Sequence, residues 1–254
     1  LVPDKLFGLS GLHTRAAAGS GKSKLKEIAM PLLIIAVLVW IGLHLGVAGT
    51  RLRDVVVRLT GEPAFRALFS MLSIISLIFL VRAWNVAPTE LIWIAPGWLR
   101  WLLVLAMLPA FVLLIASVNG RNPTMIGPPE GAARPAYGII RVTRHPMLWS
   151  FAIWAGVHIA GNGDTAAMVF FGAFLVTALA GMPSIDAKLR SRDPGASQAL
   201  SATTSIVPFA AIAQGRNQLA PVEIGWLIPT VALLVWIALL LAHPYLFGVA
   251  PVAL

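Results

Sequence analysis

Long apolar runs alternate along the chain with shorter arginine-bearing polar stretches, and run length sets the expected architecture. Runs able, or nearly able, to cross a bilayer lie at residues 31–48, 67–84, 99–118 and 224–247. Two shorter runs, 147–160 and 166–182, are separated by "GNGD", whose turn-forming residues predict a tight helical hairpin. Six spans are therefore expected, and the fold class is all-α, a polytopic membrane bundle of about six transmembrane helices. The segment Pro88 to Gly97, "PTELIWIAPG", places apolar and tryptophan residues between prolines and reads as an interfacial loop rather than a seventh span.

Composition agrees with this pattern: 58% of residues are hydrophobic, only 11% are charged, and the mean hydropathy is +0.85. Such values lie outside the usual range for a soluble domain and make the lipid bilayer the first partner. A net charge of +9 raises nucleic acid as a partner, but no aromatic and basic binding module accompanies it. The cations instead lie between spans. Arg51, Arg53, Arg58 and Arg66 follow the first, Arg121, Arg134, Arg141 and Arg144 the third, and Lys188, Arg190, Arg192 and Arg216 the fifth. The positive-inside rule puts those loops in the cytoplasm and both ends of the bundle outside, as expected of a multi-pass protein of a bacterial inner membrane.

Residues 1–29 depart from the pattern, being polar and basic on the side assigned to the exterior. They are read as an extension preceding a transmembrane domain at 30–254, with Met30 as the natural start. Within that extension "AAAGSGKS" (Ala16 to Ser23) fits a relaxed phosphate-loop pattern, but no apolar strand precedes it, and it is read as a solvated linker.

The chain has no cysteine, which removes disulfides, thiolate metal sites, iron–sulfur clusters and cysteine nucleophiles. Ser150 has no base at helical spacing, no carboxylate pair lies within a span, and HExxH is absent. Any chemistry must therefore come from a cofactor, which directs attention to the five histidines. His13 lies in the polar extension. His243, before Pro244 and Tyr245, reads as an interfacial side chain in an aromatic belt. His44 lies within span one beside Gly42 and Gly46. His158 lies near the outer end of span four, among Ala155, Gly156, Ala160 and Gly161. Small neighbours suit close helix packing with imidazoles hydrogen-bonded across helices, and they also leave room for a flat macrocycle. At about 1.5 Å per residue, His44 lies roughly 20 Å and His158 roughly 6 Å below the outer edge. An axial pair on one iron spans a Cα separation of roughly 12 Å, so a shared haem is allowed without being required. Arg144-His145-Pro146 opens span four, where proline suits the first helical turn and free N–H groups favour an anion; a simple helix cap fits equally well.

"GIIRVTRHPMLW", "WAGVHIAGNGD", "GMPSIDAK", "VPFAAIAQGRN" and "HPYLFGVAP" together resemble the NnrU family of bacterial membrane proteins, from about Met30 to the C-terminus. The resemblance implies an association with nitrogen-oxide metabolism in denitrifying bacteria. The family also includes a haem b membrane enzyme, the 15-cis-zeta-carotene isomerase of plants and cyanobacteria, whose first-span histidine segment "HLGVAGTRLRD" resembles. It implies haem b as cofactor and His44 and His158 as the iron ligands. The isomerase has a cysteine three residues before the second histidine where this chain has Ala155, so a thiol-based ligand switch is not expected. A weaker likeness of Arg-His-Pro to integral-membrane methyltransferases is disfavoured, because only Asp186 stands where those carry paired glutamates.

Three readings follow. One is a haem-b membrane protein supporting nitrogen-oxide metabolism or membrane redox chemistry, with a redox partner. The second is a haem-dependent cis–trans isomerase acting on an apolar polyene, and the third a non-haem assembly factor. In the first two, outer-side Arg82 and Arg100 pair with the haem propionates.

Overall fold

The computed structural model describes residues 28–118 and 136–252. His13, the "AAAGSGKS" segment, Arg121 and Arg134 lie outside them. Ten helices are formed among the described residues: α1 (Ile28–Val47), α2 (Leu52–Thr60), α3 (Glu62–Val86), α4 (Gly97–Ser117), α5 (Pro146–Asn162), α6 (Thr165–Arg192), α7 (Pro194–Thr203), α8 (Ala210–Ala213), α9 (Pro221–Ile224) and α10 (Leu227–Phe247). A 3₁₀ turn, Gly138–Arg141, precedes α5. The only pairing of β type among the described residues is an isolated bridge between Leu91 and Asp164.

Five helices, α1, α3, α4, α6 and α10, are long and apolar enough to cross a membrane. The expected fourth span is α5, whose 17 residues extend about 25 Å at 1.5 Å per residue. It packs between α4 and α6 and joins the two ends of the bundle. At one end Gly163 adopts φ +68°, and Asp164 caps α6 by accepting from the Ala167 N–H at 2.8 Å. This is the hairpin that "GNGD" predicts. A Cβ on Gly163 would collide with the Trp93 backbone, because the loop after α3 lies directly on this turn. Ile92 donates to the Gly163 carbonyl at 2.8 Å, and the Trp93 indole donates to the Ala160 carbonyl at 2.9 Å. The "PTELIWIAPG" segment is therefore a surface strap across the end of the hairpin.

The arginine-rich loops gather at the opposite end. Arg192 pairs with Asp54 at 3.1 Å, Arg53 with Glu62 at 2.6 Å, and Ser184 donates to the Gly49 carbonyl at 3.0 Å. The Lys188 ammonium donates to the Ala48 carbonyl, so the first two carbonyls after α1 are bonded by cation and hydroxyl from α6.

Several boundaries differ from the sequence reading: α1 begins at Ile28 and α3 at Glu62, each ahead of its apolar run. The apolar run ending at Met182 continues as helix through Pro183 to Arg192. Proline there removes one helical hydrogen bond, but the contacts of Ser184, Asp186 and Lys188 with other segments hold the extra turns in place. The last span starts at Leu227 rather than Ile224, because Gly225 at φ +72° separates a short turn, α9, from α10. The loop after α1 also contains an unexpected helix. In α2 Leu52, Val55 and Leu59 form an apolar, exposed stripe, while Arg53 and Asp54 carry the ion pairs.

The main core is where α1, α3, α5 and α6 meet. Leu33, Ala36, Leu80, Ala83, Ala155 and Phe170 are among its buried members, and the alanines let the backbones approach closely. α10 is attached chiefly to α4, with the Trp236 indole donating to the Val104 carbonyl at 2.8 Å.

Candidate functional site

His44 and His158 are built the same way. Each lies four residues after a tryptophan, and each imidazole Nδ1 lies on that tryptophan's carbonyl: 2.9 Å from Trp40 O and 2.7 Å from Trp154 O. A carbonyl only accepts, so Nδ1 carries the proton in both rings, and Nε2 of the neutral imidazole bears the open lone pair. Neither Nε2 has a hydrogen-bond partner among the described residues. Fixing one ring nitrogen on a backbone carbonyl is how proteins orient a metal-ligating histidine.

The two Trp-x-x-x-His turns are joined by one phenylalanine of α6. Phe174 lies 4.9 Å from the Trp40 ring and 5.2 Å from the Trp154 ring, centroid to centroid. Trp40 stacks on His44 at 3.9 Å, and Phe171 stacks on His158 at 4.7 Å. α6 also supplies a depth scale. Trp40 is beside Phe174 and Gly49 beside Ser184, which puts His44 level with about residue 178, whereas His158 is level with Phe171. The offset is about seven residues, roughly 10 Å along the helix, within the reach of an axial pair.

The end of α1 that carries His44 is π-helical, over Gly42–Val47. Such turns displace one backbone register and recur at functional sites. Gly42 and Gly46 are exposed on this turn, and a Cβ on either, or on Gly156 of α5, would meet nothing within 4 Å. Gly42, Gly46 and Gly156 therefore border open space, whereas Ala155 is buried in the core and a Cβ on Gly161 would touch Leu103 at 3.6 Å.

Two buried polar atoms, Trp40 Nε1 and Ser73 Oγ, have no partner among the described residues. α1 and α3 run antiparallel, with His44 beside Phe69 and Leu33 and Leu80 in one core cluster. That register sets Trp40 level with Ser73, one turn outward from His44. Unsatisfied donors in an apolar interior cost free energy unless a further group accepts from them.

The other histidines fall into different surroundings. His243 is on the last turns of α10, two positions before Tyr245, which is 89% exposed. Its ring lies 4.7 Å from Phe247 and 6.5 Å from His158. His145 is fully buried at the arginine-rich end. Its Nε2 lies 2.9 Å from Asp186 Oδ1, while Arg144 donates to both oxygens of the same carboxylate, at 2.7 Å from Nη2 to Oδ2. Arg144 N and Nη1 also donate to the Ser205 and Thr204 carbonyls. His145 occupies the N-cap position of α5 with Pro146 as the first helical residue. The Arg-His-Pro motif is thus an ion-paired anchor joining the entrance of α5 to α6 and to the segment after α7. His145 Nδ1 is buried without a partner among the described residues.

Arg82 and Arg100 lie toward the strap end, on α3 and α4. Arg82 is exposed, and Arg100 donates through Nε to the Ala95 carbonyl at 3.1 Å. His44 lies deeper, so the structure does not bring the two arginines and both histidines into direct contact.

A family profile described as "NnrU protein" matches residues 32–251. The chain belongs to the NnrU family. Among characterised relatives, this NnrU-family chain is 28% identical over 228 residues to the chloroplastic 15-cis-zeta-carotene isomerase of Arabidopsis thaliana, covering 84% of this chain and 60% of that one. It is 27% identical over 208 residues to the chloroplastic isomerase of the same name from Zea mays, covering 76% and 52%. The chain thus spans roughly half to three-fifths of the length of these relatives. No solved structure matches it.

Sequence reasoning missed three members of this site. Trp40 and Trp154 were legible in principle, as the repeated Trp-x-x-x-His spacing. Asp186 was seen only as a departure from another family. Its partners lie 42 and 41 positions away, a separation no local pattern discloses.

A second ion-paired anchor fixes the 3₁₀ turn. Arg141 donates to both Glu223 oxygens at 2.7 Å, and the Gly138 N–H donates to the same carboxylate at 2.7 Å. Arg141's hydrogen bonds, then that N–H, hold the Glu223 carboxyl below its ordinary value. A carboxylate with a depressed folded value contributes stability at pH above its ordinary value, and that contribution disappears as pH falls through the depressed one. Glu223→Gln should therefore cost about 1 kcal/mol at neutral pH, the pair being partly exposed. In detergent the variant and wild-type melting temperatures should converge as the pH is lowered through that range. A gap independent of pH would remove Glu223 from the account.

Proposed function

We propose that this chain is a membrane-embedded haem protein that isomerises double bonds of an apolar polyene of carotenoid type. The observation that carries the proposal is the matched pair of Trp-x-x-x-His turns, each with Nδ1 committed to a carbonyl and Nε2 open, set on either side of Phe174. The residues fit a flat, apolar, iron-bearing group. Two neutral imidazoles offer lone pairs at compatible depths, glycines border open space, and Trp40 and Ser73 present buried polar atoms still to be satisfied.

His44 and His158 would hold haem b, and Arg82 and Arg100 would pair with its propionates. When bound, the haem would supply the chemistry that lowers the barrier to rotation about a double bond. The chain's own part is to hold and orient. The Trp40 and Trp154 carbonyls fix the imidazole tautomers, the aromatic cluster around Phe174 excludes water, and exposed Gly42 and Gly46 leave an approach from the lipid. The relatives named 15-cis-zeta-carotene isomerase support the substrate class. We place the protein in a bacterial inner membrane with its arginine-rich end in the cytoplasm.

The test has two readouts. Protein purified after haem-supplemented expression should give a reduced-minus-oxidised spectrum of a low-spin haem b. Cells accumulating 15-cis-zeta-carotene should lose that isomer when the chain is expressed. A role in nitrogen-oxide metabolism would share the haem and lack the polyene step, so an unchanged isomer pattern beside a haem spectrum favours it. Colourless protein removes both readings and leaves an assembly factor.

A further inference from the structure

α2 is short, basic and amphipathic, and it sits at the boundary of the apolar bundle. The spans on either side, α1 of 20 residues and α3 of 25, are about 30 and 37 Å long at about 1.5 Å per residue, enough to fill the hydrocarbon core. The nine residues of α2 therefore emerge at headgroup depth, at the arginine-rich end. The π-helical end of α1 leads into it, and Gly61 at φ +83° turns the chain from it into α3.

One face of α2 is fastened to the bundle. Arg53 pairs with Glu62 at 2.6 Å and lies 5.1 Å from the centre of the Phe65 ring, Asp54 pairs with Arg192 at 3.1 Å, and Val57 is half-buried. The opposite face carries Leu52, Val55 and Leu59, which fall within about 60° of one another around the helix. All three are exposed, Leu59 to 80%. Arg51 and Arg58, both exposed, lie two turns apart on one line along the Val55 edge of this stripe. The nearby carboxylates, Asp54 and Glu62, are taken by Arg53, Arg66 and Arg192. Arg51 and Arg58 have no anionic partner among the described residues.

We propose that α2 lies in the plane of the membrane surface and binds anionic phospholipid, with Leu52, Val55 and Leu59 in the acyl boundary and Arg51 and Arg58 on headgroup phosphates. An apolar stripe edged by unmatched cations is complementary to such a surface, which is apolar below and negative above. Arginine meets a phosphate group through paired, charge-assisted hydrogen bonds. A free phosphate ion would satisfy the arginines but leave the stripe in water. Because α2 directly follows the π-helical turn that carries His44, seating it on lipid also steadies that end of α1. This seating needs no bound cofactor.

The chain contains no cysteine, so one introduced thiol carries a probe without background. Leu59→Cys and Thr60→Cys full chains, each labelled with an environment-sensitive fluorophore, are placed in nanodiscs of phosphatidylcholine with or without phosphatidylglycerol. With phosphatidylglycerol, emission from the Leu59→Cys probe should shift to the blue and its quenching by aqueous iodide should fall roughly fivefold or more, and the change should be smaller in phosphatidylcholine alone. The Thr60→Cys probe, off the stripe, should stay open to iodide. Replacing Arg51 and Arg58 together by Gln should weaken phosphatidylglycerol binding to the solubilised chain about twentyfold, from about fivefold per arginine. Lys at both positions should lose much less, and inorganic phosphate should not displace the lipid. Unchanged size-exclusion elution shows that these variants are folded, and if the glutamine variant is not, the two probes decide alone. A Leu59→Cys probe open to iodide in both discs overturns the proposal and leaves the stripe to a protein partner. Equal shifts in both discs, lipid binding unchanged by the glutamine variant, or displacement by inorganic phosphate also overturn it.

Discussion

On the haem reading proposed above, His44→Ala should abolish the low-spin haem spectrum and lower haem content by an order of magnitude or more. The reason is the absence of a substitute. The rings against His44 are Trp40 and Phe69, neither of which can ligate iron through its ring. Absorption of the purified variant, with size-exclusion chromatography to confirm that it is folded, measures the effect. His44→Ala should also leave 15-cis-zeta-carotene unconverted in cells. A variant with the wild-type spectrum would remove His44 as a ligand and with it the paired-turn argument.

The largest stability effect should come from Asp186→Ala. The carboxylate is 13% exposed and faces two partners at once, Arg144, itself 12% exposed, and a fully buried His145. Removing one member of a buried ion pair leaves the others uncompensated and costs about 3–5 kcal/mol. For a domain of this size that corresponds to a drop in melting temperature of roughly 6–20 °C. Asp186→Asn keeps the shape and some hydrogen bonding and should lose less. Thermal unfolding in detergent distinguishes these outcomes. An Asp186→Ala variant that melts with wild type would mean that the entrance of α5 is held by its apolar contacts instead.

The two effects separate two kinds of histidine. At the arginine-rich end, His145 has its Nε2 on a carboxylate and serves as an anchor. Deeper in the bundle, His44 and His158 have Nδ1 on main-chain carbonyls and Nε2 open. The sequence distinguishes them only by neighbours: Arg144 and Pro146 around one, glycines and tryptophans around the others.

The amino-acid sequence by itself determined that this is a membrane protein of helices. Apolar length and the "GNGD" turn depend only on neighbours in the chain and on the lipid solvent, so all six apolar runs emerge as long helices. It also determined membership of the NnrU family, because the motifs around Arg144, His158 and His243 are local strings. The helix through Pro183 was not legible, since proline reads as a stop until Ser184, Asp186 and Lys188 are seen against α1 and the entrance of α5. Nor was α2, whose nine residues are too few to stand out in a basic loop. The tertiary structure alone decided which side chains share a depth and an end of the bundle. It joined Trp40 to Trp154 through Phe174, put Asp186 on Arg144 and His145, and brought His243 to His158. Those pairings join residues 20 to 134 positions apart. They are fixed by how helices pack, which is a property of the whole set of interfaces and not of any one segment.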